Sequence, residues 1–321
     1  MIFAAVAAGL LFPVVGNSFS IWQPDRFVAA AVFIIFLLQG FVLPLQQLAK
    51  GILHWRFHVV VLVFNFAVAP ALAWSLFASP WSPVDRSSAM GFLYLGILPT
   101  TISSAVALTV AAKGNAAAAL FGVTLSNLAG IVMVPFGIAF WMSAGGQSAG
   151  LSFLDALIRV AQLIALPMLV GQILRLALSG RGSRIEKKVG SLSQWLIVFI
   201  VWIVFSQSAA RGEWSDFDIG TLLWTGAGVV LYFAAMSGVF YGLAGRMQLA
   251  AHDKIAAYYC ATQKGLATGA PMAVAFFLSA SGAGQVPSLG LILLPLMLYH
   301  PLQLIVGAWL ASRFSSGERE S

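Results

Sequence analysis

The stretch YYCATQKGLATGAP, residues 258–271, decides the fold of this chain. It lies inside an apolar segment running from about Ile255 to Leu278, where a membrane-spanning helix is expected. Gly265, Gly269 and Pro271 make a continuous helix unlikely there, because glycine weakens a helix interior and proline removes a backbone donor. The sequence therefore predicts an interrupted span.

Two polar residues, Gln263 and Lys264, stand at this predicted break. In hydrocarbon every backbone polar group needs a partner, so a broken helix persists only if it is buried in protein or lines a wet cavity. An ionisable residue at that depth costs about 2.5 kcal/mol or more, which makes Lys264 a functional candidate. We therefore expect a site for an ion or a solute at the break.

The composition indicates a membrane protein with many spans. Of 321 residues, 60% are hydrophobic and only 8% are charged, and the mean hydropathy is +0.93. The single cysteine, Cys260, excludes an intramolecular disulfide framework. Residues 1–15 lack the basic region of a signal peptide and are interpreted as a short first span, either truncated or preceded by further chain. Enzyme motifs are absent, so we expect no enzyme and no cofactor. If an ion drives transport, Na⁺ and H⁺ are the candidate coupling ions.

Apolar segments of spanning length number ten, and the basic residues support this count. Twelve of the 17 basic residues fall on the side that would hold both termini, four fall on the other side, and Lys264 is left inside. Because basic loops stay cytoplasmic, we expect both termini in the cytoplasm. We expect the protein to lie in a bacterial inner (plasma) membrane, in contact with lipids. The basic residues are explained by this topology, so we expect no nucleic-acid partner. The segments are roughly 1–15, 27–48, 57–79, 89–111, 116–142, 151–178, 190–209, 220–245, 255–279 and 287–312.

The two halves of the chain carry matching features. We predict a first repeat of five spans over residues 1–145, a second over 150–312, and a cytoplasmic tail at 313–321. An odd number of spans gives the halves opposite topology, and matching broken spans point to the midplane site of a transporter. Span four carries Pro99, and span nine carries the break at Lys264. The predicted fold is therefore an all-α membrane protein of two inverted five-helix repeats, whose discontinuous helices four and nine cross at the midplane.

A plainer interpretation of the same residues competes with this one. Pro99 could be an ordinary kink, because proline is common in membrane helices. The small hydroxyl residues that follow it could hydrogen-bond neighbouring helices. If the breaks do cross, their half-helix starts offer free N–H groups and their ends offer carbonyl oxygens, which suits ions and anionic groups.

Four stretches carry a family resemblance: FNFAVAPALAW (64–74), PTTISSAVALTVAAKGN (99–115), VTLSNLAGIVMVP (123–135) and QKGLATGAP (263–271). At these residues the chain resembles the bile acid:sodium symporter superfamily, and more closely its SBF-like branch, over essentially its whole length. The resemblance implies a panel domain of spans one, two, six and seven and a core domain of the other six spans. It also implies a secondary transporter of a small organic solute, such as an organic anion, that works by alternating access with the solute bound between these domains.

The resemblance also implies the positions of sodium ligands. Asn65 stands where the family has a glutamine, Ser103 and Ser104 fall near its serine–asparagine pair, and Gln263 replaces the glutamate of its span-nine motif. Sodium would then lie near Ser104, Asn127 and Gln263. The candidate solute- or ion-binding residues are Asn65, Thr100, Thr101, Ser103, Ser104, Thr124, Ser126, Asn127, Gln263, Lys264, Thr268 and His300.

This chain departs from the family pattern in its charges. No acidic residue lies in the core of a predicted span, and an ammonium on Lys264 would repel a cation, so both features argue against sodium coupling. Lys264 could replace sodium as a fixed or titrating cation in a proton-coupled or uncoupled carrier of anions, since burial disfavours a charged amine. Alternatively, Lys264 snorkels to the cytoplasmic interface and has no role. A channel or a regulatory membrane protein on the same fold is the second functional hypothesis.

His300 is the remaining titratable candidate within a span. A histidine can relay protons near neutral pH. It can equally be a hydrogen-bonded residue of the helix bundle.

Overall fold

The computed structural model describes residues 2–12, 24–43, 54–78, 84–144, 158, 161–177, 182–210, 212, 214, 219–280 and 289–317. In these ranges the chain is helical apart from turns, short extended segments and one backbone bridge. The helices are α1 (Ile2–Leu11), α2 (Pro24–Val42), α3 (Trp55–Phe77, with a π-helical turn at Phe64–Val68), α4 (Arg86–Ile97), α5 (Ile102–Ala111), α6 (Ala116–Ala144), α7 (Leu166–Ala177, after a π-helical turn at Ala161–Ala165), α8 (Gly182–Ala210), α9 (Ile219–Ala244), α10 (Ala251–Thr262), α11 (Leu266–Ala280) and α12 (Leu289–Gly317).

Each predicted apolar segment contains a helix or a pair of helices. Five helices of the described ranges are long and apolar enough to cross a membrane: α3, α6, α8, α9 and α12. Shorter apolar helices, among them α4 and α5, lie in other segments. This all-helical, apolar architecture fits a membrane protein, whereas the count of ten spans, the inverted repeat and the midplane crossing stay predictions.

Predicted spans four and nine are both interrupted: span four consists of α4 and α5, and span nine of α10 and α11. α4 ends at Ile97 and α5 begins at Ile102, while α10 ends at Thr262 and α11 begins at Leu266. Leu98 is extended (φ −63°, ψ 143°) because the proline that follows it disfavours helical geometry at the preceding residue. The backbone between the helices is thereby freed to bond elsewhere.

The prediction that Gly269 and Pro271 help to interrupt span nine is wrong. Both residues lie inside α11, and the chain leaves helical geometry earlier, at Gln263 (φ −88°, ψ 109°). Gly269 serves close packing instead, because a Cβ there would lie 2.6 Å from a methyl carbon of Leu98 and 2.9 Å from one of Leu296.

Packing divides the chain into two compact units. The first comprises residues 1–43, 135–218 and 270–293, and includes α1, α2, α7 and α8. Its tightest helix crossing joins α2 to α7. A Cβ on Gly171 would lie 2.1 Å from the Leu37 carbonyl oxygen, and one on Gly40 would lie 2.2 Å from that of Met168. Glycine is therefore required on both sides of this crossing.

The second unit comprises residues 44–134, 219–269 and 294–321, and holds both breaks. Its apolar part is rich in aromatic rings, with Phe77 stacked on Phe92 at a centroid distance of 3.7 Å. Four buried tyrosines donate their hydroxyls to backbone oxygens: Tyr94 to Gly269 (2.6 Å), Tyr232 to Ala69 (2.9 Å), Tyr259 to Gly307 (3.0 Å) and Tyr299 to Thr262 (2.8 Å). Interrupted helices in an apolar unit need such partners for their carbonyls.

Candidate functional site

The two breaks pair with each other through their backbones. Thr100 and Lys264 form an isolated antiparallel bridge. Thr101 donates its N–H to the Gln263 carbonyl oxygen and Gly265 donates its N–H to the Pro99 carbonyl oxygen, both at 3.1 Å. Each break thus satisfies backbone groups that the other leaves without a helical partner.

The side chain of Lys264 ends inside this arrangement and is fully buried. Its Nζ donates to Asn65 Oδ1 at 3.0 Å and to the carbonyl oxygens of Gly96 (3.0 Å) and Leu98 (2.9 Å). All three acceptors are neutral groups, namely one side-chain amide oxygen and two peptide carbonyl oxygens. The prediction that Lys264 snorkels to the cytoplasmic interface is therefore wrong, because the amine is turned into the second unit and has no solvent exposure. A role for Lys264 stays a prediction.

Asn65 is held in a fixed orientation by the helix that carries it and by α10. Its Nδ2 donates to the carbonyl oxygens of Val61 (3.0 Å) and Cys260 (2.9 Å), so Oδ1 must face Lys264. Asn65 lies in the π-helical turn of α3, and such turns are frequent at functional sites. Pro70, which lacks an N–H, follows in the next turn and cannot bond to the Phe66 carbonyl oxygen.

Helix α6 holds the first break by the peptide groups of Thr100. Ser126 Oγ accepts from the Thr100 N–H (3.2 Å), and Asn127 Nδ2 donates to the Thr100 carbonyl oxygen (2.9 Å). Thr268, in the first turn of α11, donates to Asn127 Oδ1 at 3.3 Å. The polar face of α6 therefore connects both breaks.

Helix α12 holds the second break in an equivalent way, through Gln303. Its Oε1 accepts from the Lys264 N–H (2.6 Å) and its Nε2 donates to the Lys264 carbonyl oxygen (2.9 Å). The same Nε2 lies 3.0 Å from His300 Nδ1, which must act as the acceptor because an amide nitrogen can only donate. His300 is thus hydrogen-bonded to Gln303, the residue that holds the backbone of Lys264.

The structure brings most of the predicted site residues together. Seven of them bond to one another or to the paired breaks: Asn65, Thr100, Ser104, Ser126, Asn127, Lys264 and Thr268. Gln263 joins them through its carbonyl oxygen, which accepts from Thr100 Oγ1 at 2.7 Å, and through its Oε1, which lies 3.4 Å from Ser104 Oγ.

Among the described residues, the side chains of three other predicted residues make no bond to this network, and one of the three, Thr101, takes part through its backbone. Thr124 donates to the Leu120 carbonyl oxygen of its own helix at 2.7 Å, and its side chain is buried there. Thr101 enters the pairing through its backbone N–H. Ser103 is exposed on the first turn of α5, beside the break. Of the residues at the paired breaks, Ser103 is thus exposed, whereas Lys264 is enclosed.

Two residues of the site were missed at the sequence level. Gln303 clamps Lys264, and Tyr299 caps the Thr262 carbonyl oxygen at the end of α10. A signal for Gln303 was present: it is an amide in an otherwise apolar helix, three residues after His300, and residues at this spacing share a helix face. Nothing comparable distinguishes Tyr299 from the other aromatic residues of the spans.

The oxygen atoms expected near a sodium ion do not make a good sodium site. Gln263 Oε1 accepts from Ser104, Asn127 Oδ1 accepts from Thr268, and no carboxylate joins them among the described residues. An ammonium on Lys264, in the same pair of breaks, would add an unfavourable charge. The residues present therefore do not fit Na⁺.

Comparison with known proteins agrees with this architecture. The model of the SBF-like CPA transporter family matches residues 1–316. YfeH of Escherichia coli (strain K12) is 32% identical over 292 residues, which cover 90% of this chain and 84% of that protein. Sodium/bile acid cotransporter 7 of Mus musculus is 28% identical over 320 residues, which cover 98% and 91% respectively. The chain belongs to the SBF-like CPA transporter family and is an integral membrane protein.

Proposed function

We propose that this member of the SBF-like CPA transporter family is a secondary carrier of a small organic solute, most readily an organic anion, that works by alternating access. The observation that carries the proposal is the pairing of two interrupted helices around one buried lysine amine. Irregular backbone of this kind is costly inside a membrane unless it is buried or lines a solute pathway. A merely structural bundle has no need of it.

The way in which the two breaks are held supports the proposed inverted repeat. Residues of α6, the last predicted span of the first half, clamp the peptide groups of Thr100. Gln303 of α12, the last predicted span of the second half, clamps those of Lys264. Equivalent helices thus support equivalent breaks, which is the arrangement that two copies of one ancestral unit would produce.

The preference for an anion follows from the charges around the crossing. In the low dielectric of a membrane protein, the field of the Lys264 ammonium extends well beyond its hydrogen-bond partners. Helices α5 and α11 both begin at the breaks, and their N-terminal ends carry positive partial charge. Because Lys264 is enclosed, we place the solute on the accessible side, at Ser103 and Ser104, and attribute to Lys264 an electrostatic effect without contact.

Coupling to sodium is not part of this proposal, because the oxygen set does not fit the ion. The carrier is either proton-coupled or uncoupled. We further propose that it lies in a bacterial inner membrane with both termini in the cytoplasm, which reporter fusions at each end can test. A cytoplasmic signal at one end only would contradict this topology.

The function is tested with purified protein in two steps. A thermal-unfolding screen against mono- and dicarboxylates, aryl sulfonates and taurocholate identifies solutes that stabilise the protein saturably. Those solutes are then assayed for counterflow in proteoliposomes, with Thr124→Val as a control variant. Saturable stabilisation with counterflow supports a carrier, flux without counterflow indicates a channel, and neither effect across the panel favours a regulatory protein.

A further inference from the structure

We infer that Asn65 Oδ1 and the carbonyl oxygens of Gly96 and Leu98 form a site for a monovalent cation, which the chain itself fills with the ammonium of Lys264. These three oxygens are called the oxygen cage. The inference concerns what binds in the cage and does not depend on which solute is carried.

The hydrogen bonds of the cage match a charged amine. The distances from Nζ to the three oxygens are 2.9–3.0 Å, and an ammonium has three N–H donors, one for each oxygen. Carbonyl oxygens can only accept, and the orientation of Asn65 is fixed by its bonds to Val61 and Cys260. A neutral amine would point its lone pair at one of the three oxygens. The cage therefore suits a cation.

The position of the cage in the fold gives it a negative potential. Gly96 and Leu98 lie at the C-terminal end of α4, where carbonyl oxygens lack partners within the helix and the helix dipole is negative. Pro99 places Leu98 outside helical geometry and so exposes these oxygens to Lys264. Two of the three cage oxygens thus come from the break itself and the third from α3, while the occupant comes from the segment between α10 and α11.

The chemistry of the cage selects a particular class of ion. Three neutral oxygens, two of them from the backbone, resemble the ligands by which carbonyl groups replace the hydration shell of K⁺. Divalent ions favour carboxylates, and none of the three ligands is one. Ammonium and K⁺ are similar in size, whereas Na⁺ draws its ligands closer. The cage should therefore prefer K⁺, NH₄⁺ and alkylammonium ions over Na⁺.

While Lys264 is present, an external cation cannot occupy the cage, because it would lie in contact with a fixed positive charge. Removing the side chain beyond Cβ should open the site. The atoms lost in Lys264→Ala are three carbons and one nitrogen, which n-propylammonium supplies again. A neutral molecule of the same shape, n-propanol, cannot replace the charge.

The test is a thermal-unfolding titration of purified Lys264→Ala in N-methylglucamine chloride at constant ionic strength. We expect K⁺, NH₄⁺ and n-propylammonium to raise the unfolding midpoint saturably, by about 5 °C at a hundredfold excess over Kd, with a smaller effect of Na⁺ and none of n-propanol. The matched controls are wild type, Lys264→Met, which fills the space without charge, and Lys264→Ala with Asn65→Leu, which lacks one cage oxygen. All three should show no such rise.

Two results would overturn the inference. One is that the unfolding midpoint of Lys264→Ala does not change with any of these cations. Failure to purify folded Lys264→Ala in KCl, although Lys264→Met can be purified, counts as the same result. The other is wild-type protein stabilised by K⁺ or Na⁺ in a manner that Asn65→Leu abolishes, since the cage would then accept an external ion beside Lys264. This second comparison needs no change at Lys264 and stays informative if Lys264→Ala does not fold.

Discussion

Thr100 and Lys264 are 164 positions apart in the sequence and pair as an antiparallel bridge, flanked by backbone hydrogen bonds of 3.1 Å on either side. Each of the two residues is also clamped from outside, Thr100 by α6 and Lys264 by α12. A displacement of one break would therefore strain the other. We infer that the paired breaks move as one body during any transport cycle.

The first prediction concerns the clamp on Lys264. Gln303→Leu should lower the free energy of unfolding by about 2 kcal/mol or more, because the buried N–H and C=O groups of Lys264 lose their partner. The measurement is unfolding of purified protein in mixed detergent micelles. Gln162→Leu, which removes an exposed amide, is the matched control and should have little effect. Equal losses in both variants would show that Gln303 does not hold the break.

A second prediction separates two neighbouring polar residues of α6. Asn127→Leu should destabilise the protein by about 1–2 kcal/mol, because the Thr100 carbonyl oxygen and Thr268 both lose a partner. Thr124→Val should change stability by under about 0.5 kcal/mol, since its hydroxyl bonds only to its own helix. The same unfolding assay compares them, and the reverse order of effects would contradict the assigned role of Asn127.

The charged hydrogen bond between Lys264 and Asn65 can be measured by a double-mutant cycle. We expect Asn65→Leu to cost at least about 1.5 kcal/mol more in wild type than in Lys264→Met, because only in wild type does it leave an ammonium N–H unpaired. The bonds from Asn65 to Val61 and Cys260 are lost in both backgrounds and cancel. A coupling energy near zero would mean that the amine does not depend on this oxygen.

Another prediction addresses the crossing of α2 and α7. Gly171→Ala should destabilise the protein by about 1–3 kcal/mol, since the new Cβ would lie 2.1 Å from a backbone oxygen that cannot move freely. Gly190→Ala in α8 meets nothing within 4 Å and should be neutral or stabilising by up to about 1 kcal/mol. Thermal unfolding of both variants decides this. A tolerant Gly171 would show that the two helices are not in such close contact.

The breaks and most of the polar residues around them were predictable from the sequence, because proline, glycine and polar side chains in apolar segments leave few alternatives. The pairing of Thr100 with Lys264 depends on tertiary packing and has no local signal. The direction of the Lys264 side chain was equally open, since the same sequence allows burial and snorkelling. Its burial depends on Asn65 and the oxygens of Gly96 and Leu98, which come from two other helices.

Pro271 illustrates the limit of local reasoning. Proline predicts a helix boundary, yet α11 continues through it, as it does in many membrane helices when neighbouring groups satisfy the freed carbonyl. Gly269 likewise lies inside α11. A glycine is needed there for the close contact with Leu98 and Leu296, which only the tertiary structure shows.

The central claim is that a fixed ammonium at the paired breaks takes the place of an external coupling cation. Its most direct test is the initial rate of counterflow of a solute found in the thermal screen, measured in proteoliposomes with Na⁺ or with N-methylglucamine on both sides. We predict equal rates in the two buffers for wild type and a loss of at least tenfold for Lys264→Met. A wild-type rate that requires sodium, or a Lys264→Met rate equal to that of wild type, would contradict the account.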